Sequence, residues 1–326
     1  MTKTMRTLML LLAALALLAA GCGGDDDEAA GGDTAAATDG GAGGDLSGRI
    51  EADGSSTVAP LTTRAAERFQ NENSGVQITV GVSGTGGGFE RFCAGETDIS
   101  NASRPIDEDE VAACEQEGVE YVEFQVANDA LTVVANTEND WATCLTTDQL
   151  ATIWGPDSNV SSWSEVDPAF PDEELTLYGP GTDSGTFDYF TDVINGEEGA
   201  SRSDYSASEN DNVIVQGVSG DEGALGYFGF SYYEENQDSL KALEVDGGDG
   251  CVAPSVETAQ DGTYKPLSRP LFVYARTESF QKPEVHAFVE YMLDNAVEIA
   301  EEADFVPLTD EQVEKAKSDF EAAGAA

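Results

Sequence analysis

The sequence predicts an α/β fold with mainly parallel sheets, divided into two domains. Segments typical of strands and helices alternate along the chain, which indicates an α/β architecture. The part that follows residue 46 spans about 280 residues, a length that favours two domains over one. Three strand–loop–helix units also carry loops rich in Gly, Ser and Thr, at residues 53–60, 82–89 and 179–187.

The individual elements are predicted from hydrophobic spacing, with period two for strands and 3.6 for helices. The run ALTVVA at 130–135 is continuous and β-branched, as in a buried strand. The other predicted strands, in chain order, are 49–52, 76–82, one that begins at 98, 175–178 and 271–275. The predicted helices are 61–71, one that ends at 92, 107–117, 147–154, a single long helix at 285–301 and a solvated terminal helix at 310–321.

Residues 1–22 have the features of a bacterial export signal. Lys3 and Arg6 precede an apolar run at 8–20, which at about 13 residues is too short to span a bilayer comfortably. The run ends in Leu-Ala-Ala-Gly-Cys, which resembles a lipobox. We therefore expect Cys22 to be lipidated and to anchor the protein on the outer face of the cell membrane. An ordinary signal peptide is the alternative. Residues 23–46 are expected to form a disordered tether.

The chain is strongly acidic, with a formal net charge of -48. Such a charge excludes nucleic acid as a partner, because nucleic-acid binding depends on neutralising phosphates with Lys and Arg. The charge suits solubility and does not by itself indicate a fold.

The cysteines indicate disulfides. Besides Cys22 there are four, an even number in an exported chain, which allows three pairings. We favour Cys93–Cys114 within one segment and Cys144–Cys251 bracketing another. No CxxC occurs and the single histidine is His286, so neither a zinc site nor any other metal site is expected.

The three loops share a chemistry that suits a small anion. In open α/β sheets, ligands bind beyond the carboxyl ends of the strands, against helix N-termini. Backbone amides and hydroxyl groups at such positions donate hydrogen bonds to anions. Each loop could be an ordinary turn, but together they predict a site for a tetrahedral oxyanion.

These loops resemble those of the phosphate-binding proteins of bacterial high-affinity phosphate ABC importers, in the lipid-anchored form of Gram-positive bacteria. The matching motifs are Asp-Gly-Ser-Ser-Thr-Val at 53–58, Ser-Gly-Thr-Gly-Gly-Gly-Phe at 83–89, Asp-Ile at 98–99 with Ala-Ser-Arg at 102–104, and Asp-Ser-Gly-Thr at 183–186. Their order and spacing cover nearly all of residues 48–310. The resemblance implies a type II periplasmic-binding-protein fold, with two α/β lobes joined by a two-segment hinge and the ligand in the cleft.

The resemblance also implies which residues hold phosphate. In the second loop the hydroxyl donor is Thr85 if the loop is aligned from its glycines, with Ser83 as the competing choice. The complete expected set is Ser56, Thr57, Val58, Ser83, Thr85, Arg104, Ser184, Gly185 and Thr186.

Arg104 is a departure from the family pattern. The best-studied branch has an aspartate there, which accepts a proton from the ligand, and an arginine shortly before its Ser-Gly-Thr. Here residues 179–181 carry no cation. We therefore expect Arg104 to supply the charge of the site. The alternative is a surface residue that pairs with Asp107 or Glu108. Asp183 could accept the ligand's proton, and could equally cap the following helix.

The resemblance finally implies a function. It implies a monomer without a cofactor that captures inorganic phosphate and delivers it to the membrane permease of an ABC importer. Lobe one would hold residues 47–126 and 267–326, and lobe two residues 127–266. Alternatives are a protein for another oxyanion, such as sulfate or molybdate, or a phosphate-sensing accessory lipoprotein of the same fold. An enzyme is not expected, because Ser184 lacks a G-x-S-x-G context and His286 lies in a helix predicted to pack.

Overall fold

The computed structural model describes residues 46–324. The predicted signal peptide at 1–22, with the predicted lipidation site Cys22, and residues 23–45 of the predicted tether lie outside the described residues. None of the helices within 46–324 combines the length and apolarity that a membrane crossing requires.

The strands extend several of the predicted segments by one or more residues. In chain order they are β1 (Ser47–Gly54), β2 (Gly75–Val80), β3 (Ile99–Ala102), β4 (Tyr121–Asn136), β5 (Cys144–Thr146), β6 (Thr176–Gly179), β7 (Ser206–Ala207), β8 (Ala224–Gly229), β9 (Leu240–Ala242), β10 (Glu244–Asp246), β11 (Cys251–Val252) and β12 (Ser268–Arg276).

The helices also follow the predicted order. They are α1 (Ala59–Glu72), α2 (Gly84–Cys93), α3 (Glu108–Glu117), α4 (Thr147–Trp154), α5 (Trp163–Val166), α6 (Gly185–Phe190), α7 (Asp211–Ser219), α8 (Phe230–Glu235), α9 (Val256–Gln260), α10 (Pro283–Asp294), α11 (Ala296–Glu302) and α12 (Asp310–Gly324). A π-helical turn, Thr191–Asn195, continues α6, and a 3-10 helix, Thr277–Gln281, follows β12.

The main sheet has nine strands in the order β2-β1-β3-β12-β4-β8-β6-β7, with β9 paired to β4. The prediction of mainly parallel sheets is only half right. Strand β1 lies parallel to β2 and β3, and β6 lies parallel to β7 and β8. In contrast, β4 and β12 are antiparallel to each other and to their outer neighbours. The chain leaves one half of the molecule on β4 and returns on β12, so these two strands must run in opposite directions.

The crossing strands contribute to two hydrophobic cores, which lie along successive parts of β4. Phe124 and Val126, in the first part of β4, belong to a core with helices α1, α10 and α12. Leu131 and Val133, further along β4, belong to a second core. The type II periplasmic-binding-protein fold predicted from the sequence is therefore observed, with two lobes that share the central strands. The large aromatic residues Trp154, Trp163 and Tyr227 are fully buried in the second core.

Strand β4 contains a β-bulge where it meets β12. Leu271 pairs with Ala127, whereas the next residue, Phe272, pairs with Gln125. Val126 is therefore an extra residue on β4, and the alternation of side chains shifts by one position there.

The single helix predicted for 285–301 is wrong, because the helix breaks at Asn295. This residue has φ −111° and ψ 15°, outside the helical range. Its side-chain amide donates to the Tyr291 carbonyl oxygen at 2.8 Å. An asparagine side chain competes for backbone hydrogen bonds, which disfavours it within helices.

The terminal helix is packed rather than wholly solvated. Phe320 of α12 is buried, and its ring lies 4.6 Å from the His286 ring, centroid to centroid. Phe280 contacts both rings. This arrangement confirms that His286 lies in a packing helix.

The favoured disulfide pairing is confirmed. Cys93–Cys114 joins the end of α2 to α3, and Cys144–Cys251 joins β5 to β11. The first bridge therefore ties together the two helices whose N-terminal ends border the predicted anion site.

Candidate functional site

A cleft of about 530 Å³ opens between the two lobes. The first lobe contributes loops that follow β1, β2 and β3, and the second lobe contributes one face of α6 and its continuation. Strand β12 supplies the floor. The lining residues are Ser55, Ser56, Thr57, Ser83, Gly84, Thr85, Gly86, Gly87, Ser103, Arg104, Pro105, Gly185, Asp188, Tyr189, Asp192, Val193, Glu198, Arg269 and Pro270.

The first loop presents Ser56 and Thr57 to the cleft, as predicted. It turns at Gly54, whose φ of +136° favours glycine and where a Cβ would lie 2.2 Å from the Asn101 carbonyl oxygen. Val58 does not line the cleft. Its side chain is fully buried in the first core, and its amide lies 3.4 Å from the Ser55 hydroxyl oxygen. Ser55 also lines the cleft, so the loop offers three hydroxyl-bearing residues just before α1.

The second loop places both predicted alternatives, Ser83 and Thr85, in the lining. Their environments differ, because Ser83 is exposed and Thr85 is half-buried. The Thr85 hydroxyl oxygen lies 3.0 Å from the Ser103 hydroxyl and accepts from the Ser103 amide at 3.3 Å. These contacts fix the orientation of Thr85. Ser103, a further hydroxyl in the cleft, was missed by the sequence analysis although it lies within the Ala-Ser-Arg motif.

The third loop meets the first loop across the cleft. Of its three predicted donors, only Gly185 lines the cleft. Ser184 caps α6, and its hydroxyl accepts the Thr186 amide at 3.2 Å. A Cβ added to Gly185 would lie 2.9 Å from the Thr57 hydroxyl oxygen, so the approach of the two loops requires a glycine.

Asp183 takes neither of the roles considered for it. The helix cap is Ser184. Asp183 is exposed and is not among the lining residues, and its amide donates to Glu209 at 3.4 Å.

Arg104 lines the cleft, but its guanidinium is bound by a neighbouring carboxylate. Nη1 and Nη2 each donate to Glu110 at 2.8 Å, in a bidentate pair. Asp107 lies 3.6 Å from Nη2. The partners considered from the sequence were Asp107 and Glu108, and the structure gives Asp107 and, more closely, Glu110. Glu110 also closes the capping box of α3, so this pair is part of a local helix-start structure.

Arg269 is the cation that the sequence analysis missed. It lies on β12, and its side chain is only 15% exposed. Its Nη2 donates to the Thr57 hydroxyl oxygen at 2.9 Å, and its Nε lies 3.2 Å from the Asp129 carboxylate. Its guanidinium carbon lies 3.5 Å from the centroid of the Tyr189 ring, a cation–π contact. Arg269 therefore contacts the first lobe, the second lobe and the other crossing strand.

Asp129 holds Arg269 from the opposite strand. Its side chain is 8% exposed. Burial raises the pKa of Asp129, and the charge and hydrogen bond of Arg269 oppose that rise. The pair fixes a desolvated cation at the floor of the cleft, where an anion would reach it.

No metal centre accompanies this site in the part of the chain that the structure describes. The single group with suitable ligand spacing there is Cys144, Glu244 and Cys251. The two cysteines form a disulfide and offer no thiolate.

Comparisons with known proteins agree with this architecture. The PBP superfamily domain matches residues 29–296. The protein SphX of Synechococcus elongatus is 51% identical over 262 residues, which cover 79% of this chain and 77% of SphX. The phosphate-binding protein PstS of Staphylococcus saprophyticus is 39% identical over 265 residues, 80% of this chain and 81% of that protein. The crystal structure of a possible phosphate binding protein from Planctomyces limnophilus has 47% identity and a TM-score of 0.83, and the match covers 85% of this chain and 99% of that one.

The fold, the cleft and these matches define the class: the chain is a member of the PBP superfamily with the type II periplasmic-binding-protein fold. Within that superfamily it belongs to the family of phosphate-binding substrate-binding proteins. This is a family of substrate-binding proteins and not of enzymes.

Proposed function

We propose that this protein captures inorganic phosphate between its two lobes, outside the cytoplasm. The observation that carries the proposal is Arg269, a largely buried cation at the point where the donor loops of both lobes meet. The names of the relatives PstS and of the Planctomyces limnophilus protein support phosphate as the ligand.

The local donors account for anion binding by so acidic a chain. Oriented amides, hydroxyls and one guanidinium act over a few ångströms, where charge-assisted hydrogen bonds are strongest. Surface carboxylates further than about 8 Å away are screened at physiological salt. In this proposal the anion exchanges hydrogen bonds with water for fixed hydrogen bonds from Ser56, Thr57, Thr85, Gly185 and Arg269.

Closure of the lobes completes the proposal. Residues 47–126 and 267–326 form lobe one, and residues 127–266 form lobe two. The two hydrophobic cores support this division. A ligand that contacts both lobes stabilises the closed state, because it binds that state more tightly than the open one.

The proposal also includes delivery of the bound phosphate to a permease and attachment of the protein to the membrane. The closed, loaded protein passes phosphate to the permease of an ABC importer, and a lipid on Cys22 holds it at the membrane as a monomer. The lipobox-like sequence at 18–22 supports the anchor. Growth with labelled palmitate, followed by purification of the wild type and the Cys22→Ala variant, tests it.

Isothermal titration of the folded protein with phosphate, sulfate and molybdate tests the ligand. We expect tight binding of phosphate that persists at raised salt, because the site is screened little by ions. Preference for sulfate or molybdate would assign a different oxyanion. Turnover of phosphate esters would instead indicate an enzyme.

A further inference from the structure

Tyr189 covers one face of the Arg269 guanidinium with its ring. The guanidinium carbon lies 3.5 Å from the ring centroid. On the other side of the cleft, the Arg104 guanidinium carbon lies 6.0 Å from the centroid of the Phe89 ring. An aromatic face attracts a cation within about 6 Å of its centroid, and the attraction is largest where the cation is desolvated. The contact of Arg269 with Tyr189 is therefore the stronger of the two.

The ring of Tyr189 is fixed on lobe two. Tyr189 is 5% exposed, and α6 carries its backbone. Its hydroxyl donates to the Pro266 carbonyl oxygen at 2.5 Å. Burial raises the pKa of Tyr189, so the hydroxyl stays protonated and keeps this hydrogen bond. In the division proposed above, Pro266 is the last residue of lobe two, whereas Arg269 belongs to lobe one.

One face of α6 contacts both members of the Arg269–Thr57 pair. Residues four apart lie on the same face of a helix, so Gly185 and Tyr189 lie on the same side of α6. Gly185 lies against Thr57, where an added Cβ would be 2.9 Å from the hydroxyl oxygen. That hydroxyl in turn accepts from Arg269 Nη2 at 2.9 Å. A movement of lobe two therefore changes the contact of Tyr189 with Arg269 and the contact of Gly185 with Thr57 together.

We propose that Tyr189 is a positioning residue, whose ring stacks on Arg269 as the lobes close and thereby couples closure to anion binding. Among the described residues, Asp129 contacts Nε of Arg269 and Thr57 contacts Nη2. The ring supports the face of the same guanidinium, so Nη1 is the nitrogen left to donate to the anion. The inference rests on the function proposed above and adds the residue that links Arg269 to the movement of lobe two.

The proposal makes phosphate affinity depend on the electron density of the ring. An attraction that is complete only in the closed state shifts the lobes toward closure. A ring that attracts Arg269 less strongly should therefore lower phosphate affinity. An aromatic side chain that only filled the second core would not have this dependence, because core packing depends on volume and shape.

The first test replaces the ring. Tyr189→Leu removes the aromatic face, and we expect phosphate affinity to fall about three- to thirtyfold in isothermal titration. Tyr189→Phe keeps the aromatic face and should stay within about threefold of wild type. The hydrogen bond that this variant loses lies within lobe two, so it is present in the open and closed states alike.

The second test changes the electron density of the ring and keeps its size nearly constant. Mono-, di- and trifluorophenylalanine, introduced at position 189 by stop-codon suppression, withdraw increasing electron density from the ring face. Starting from Tyr189→Phe, phosphate affinity should decrease step by step along this series, by about three- to thirtyfold in all. In a chain that also carries Arg269→Ala the series should have no effect, because the ring then has no cation to attract.

Tyr205 provides the matched control. It is half-buried in lobe two, and its hydroxyl likewise donates to a proline carbonyl oxygen, that of Pro180 at 2.7 Å. Its ring packs edge-on against Trp154, with the centroids 5.4 Å apart. The same fluorinated series at position 205 should leave phosphate affinity within about twofold of Tyr205→Phe.

A constant affinity along the series at position 189 would overturn the inference. An equal decline at position 205, or a decline that persists in Arg269→Ala, would overturn it as well. If Tyr189→Leu does not fold, the fluorinated series decides, because it nearly preserves the volume of the ring. Failure of the wild type to bind phosphate would refute the proposed function itself, whereas phosphate binding that is indifferent to the ring's electron density would refute this inference only.

Discussion

Two arginines border the cleft, and they are held in different ways. Arg104 pairs bidentately with Glu110, a residue of its own segment, and its side chain is 42% exposed. Arg269 is 15% exposed and is held by a hydroxyl, a carboxylate and an aromatic ring from three separate segments. Within residues 46–324, its Nη1 atom has no hydrogen-bond partner.

The difference shows that the position of a cation in the fold matters more than its presence near a binding motif. A guanidinium that already satisfies a nearby carboxylate has little left to offer an anion. One that is desolvated, oriented by its neighbours and incompletely paired remains available. The charge of the site is therefore expected from β12 and not from the Ala-Ser-Arg motif.

Alanine substitution of each arginine provides the most sensitive test of this comparison. Arg269→Ala should weaken phosphate binding by about 2–5 kcal/mol, because it removes a buried charged donor. Arg104→Ala should cost about 0–1 kcal/mol, as for an exposed ion pair. Isothermal titration with phosphate measures both.

The control for this pair is Arg269→Lys, which keeps the charge beside Asp129. It should recover part of the affinity, and circular dichroism should confirm that each variant is folded. If the two alanine variants lost equal phosphate affinity, or if Arg104→Ala lost more, Arg104 would be the cation that binds the anion, as the sequence analysis expected.

A methyl group at Gly185 tests the contact between the lobes without changing either arginine. Its Cβ would lie 2.9 Å from the Thr57 hydroxyl oxygen, which is the acceptor of Arg269. Gly185→Ala should cost about 1–3 kcal/mol in phosphate binding through overpacking in the closed state.

The matched change is Gly86→Ala on the Arg104 side of the cleft. There a Cβ would be 3.8 Å from Glu110 and 4.0 Å from Arg104, which is ordinary contact. We expect phosphate affinity within about 0.5 kcal/mol of wild type. If both variants bind phosphate equally well, the meeting of Gly185 and Thr57 has no part in closure.

The smallest effect is expected among the hydroxyls beside Arg104. Thr85→Val should reduce phosphate affinity by about 0.5–1.5 kcal/mol, since Ser103 holds the Thr85 hydroxyl in place for one hydrogen bond. Ser83→Ala should change it by less than about 0.5 kcal/mol. The reverse order in the same titration would make Ser83 the donor of this loop.

The features that could be predicted from the sequence are those that depend on residues close together in the chain. Capping residues, glycine turns and hydrophobic periods each span only a few residues, so they placed most elements and the three loops correctly. The break at Asn295 was missed because the hydrophobic spacing continues across it. The antiparallel crossing strands were missed because strand direction depends on contacts between distant segments.

The site residues that were predicted lie in local motifs, whereas the cation that was missed reaches the site through a contact between distant segments. Ser56, Thr57 and Gly185 lie in motifs that can be recognised locally. Arg269 is more than 200 positions from Thr57, and only the fold brings the two together. The available signal was its place three positions after residue 266, where the predicted lobe two ends, in a chain with only 15 Lys and Arg residues.

The bulge at Val126 has a consequence for how such a hinge can vary in length. On β4, Phe124 packs into one core from an even position, and Leu131 and Val133 pack into the other from odd positions. Deleting Val126 would move these side chains to the opposite face of the strand, where Val134 packs into another hydrophobic cluster, and would therefore exchange the residues of the two faces. The crossing segment should therefore tolerate insertions or deletions of two residues but not of one, which restricts where a reporter group or an engineered linker can be introduced.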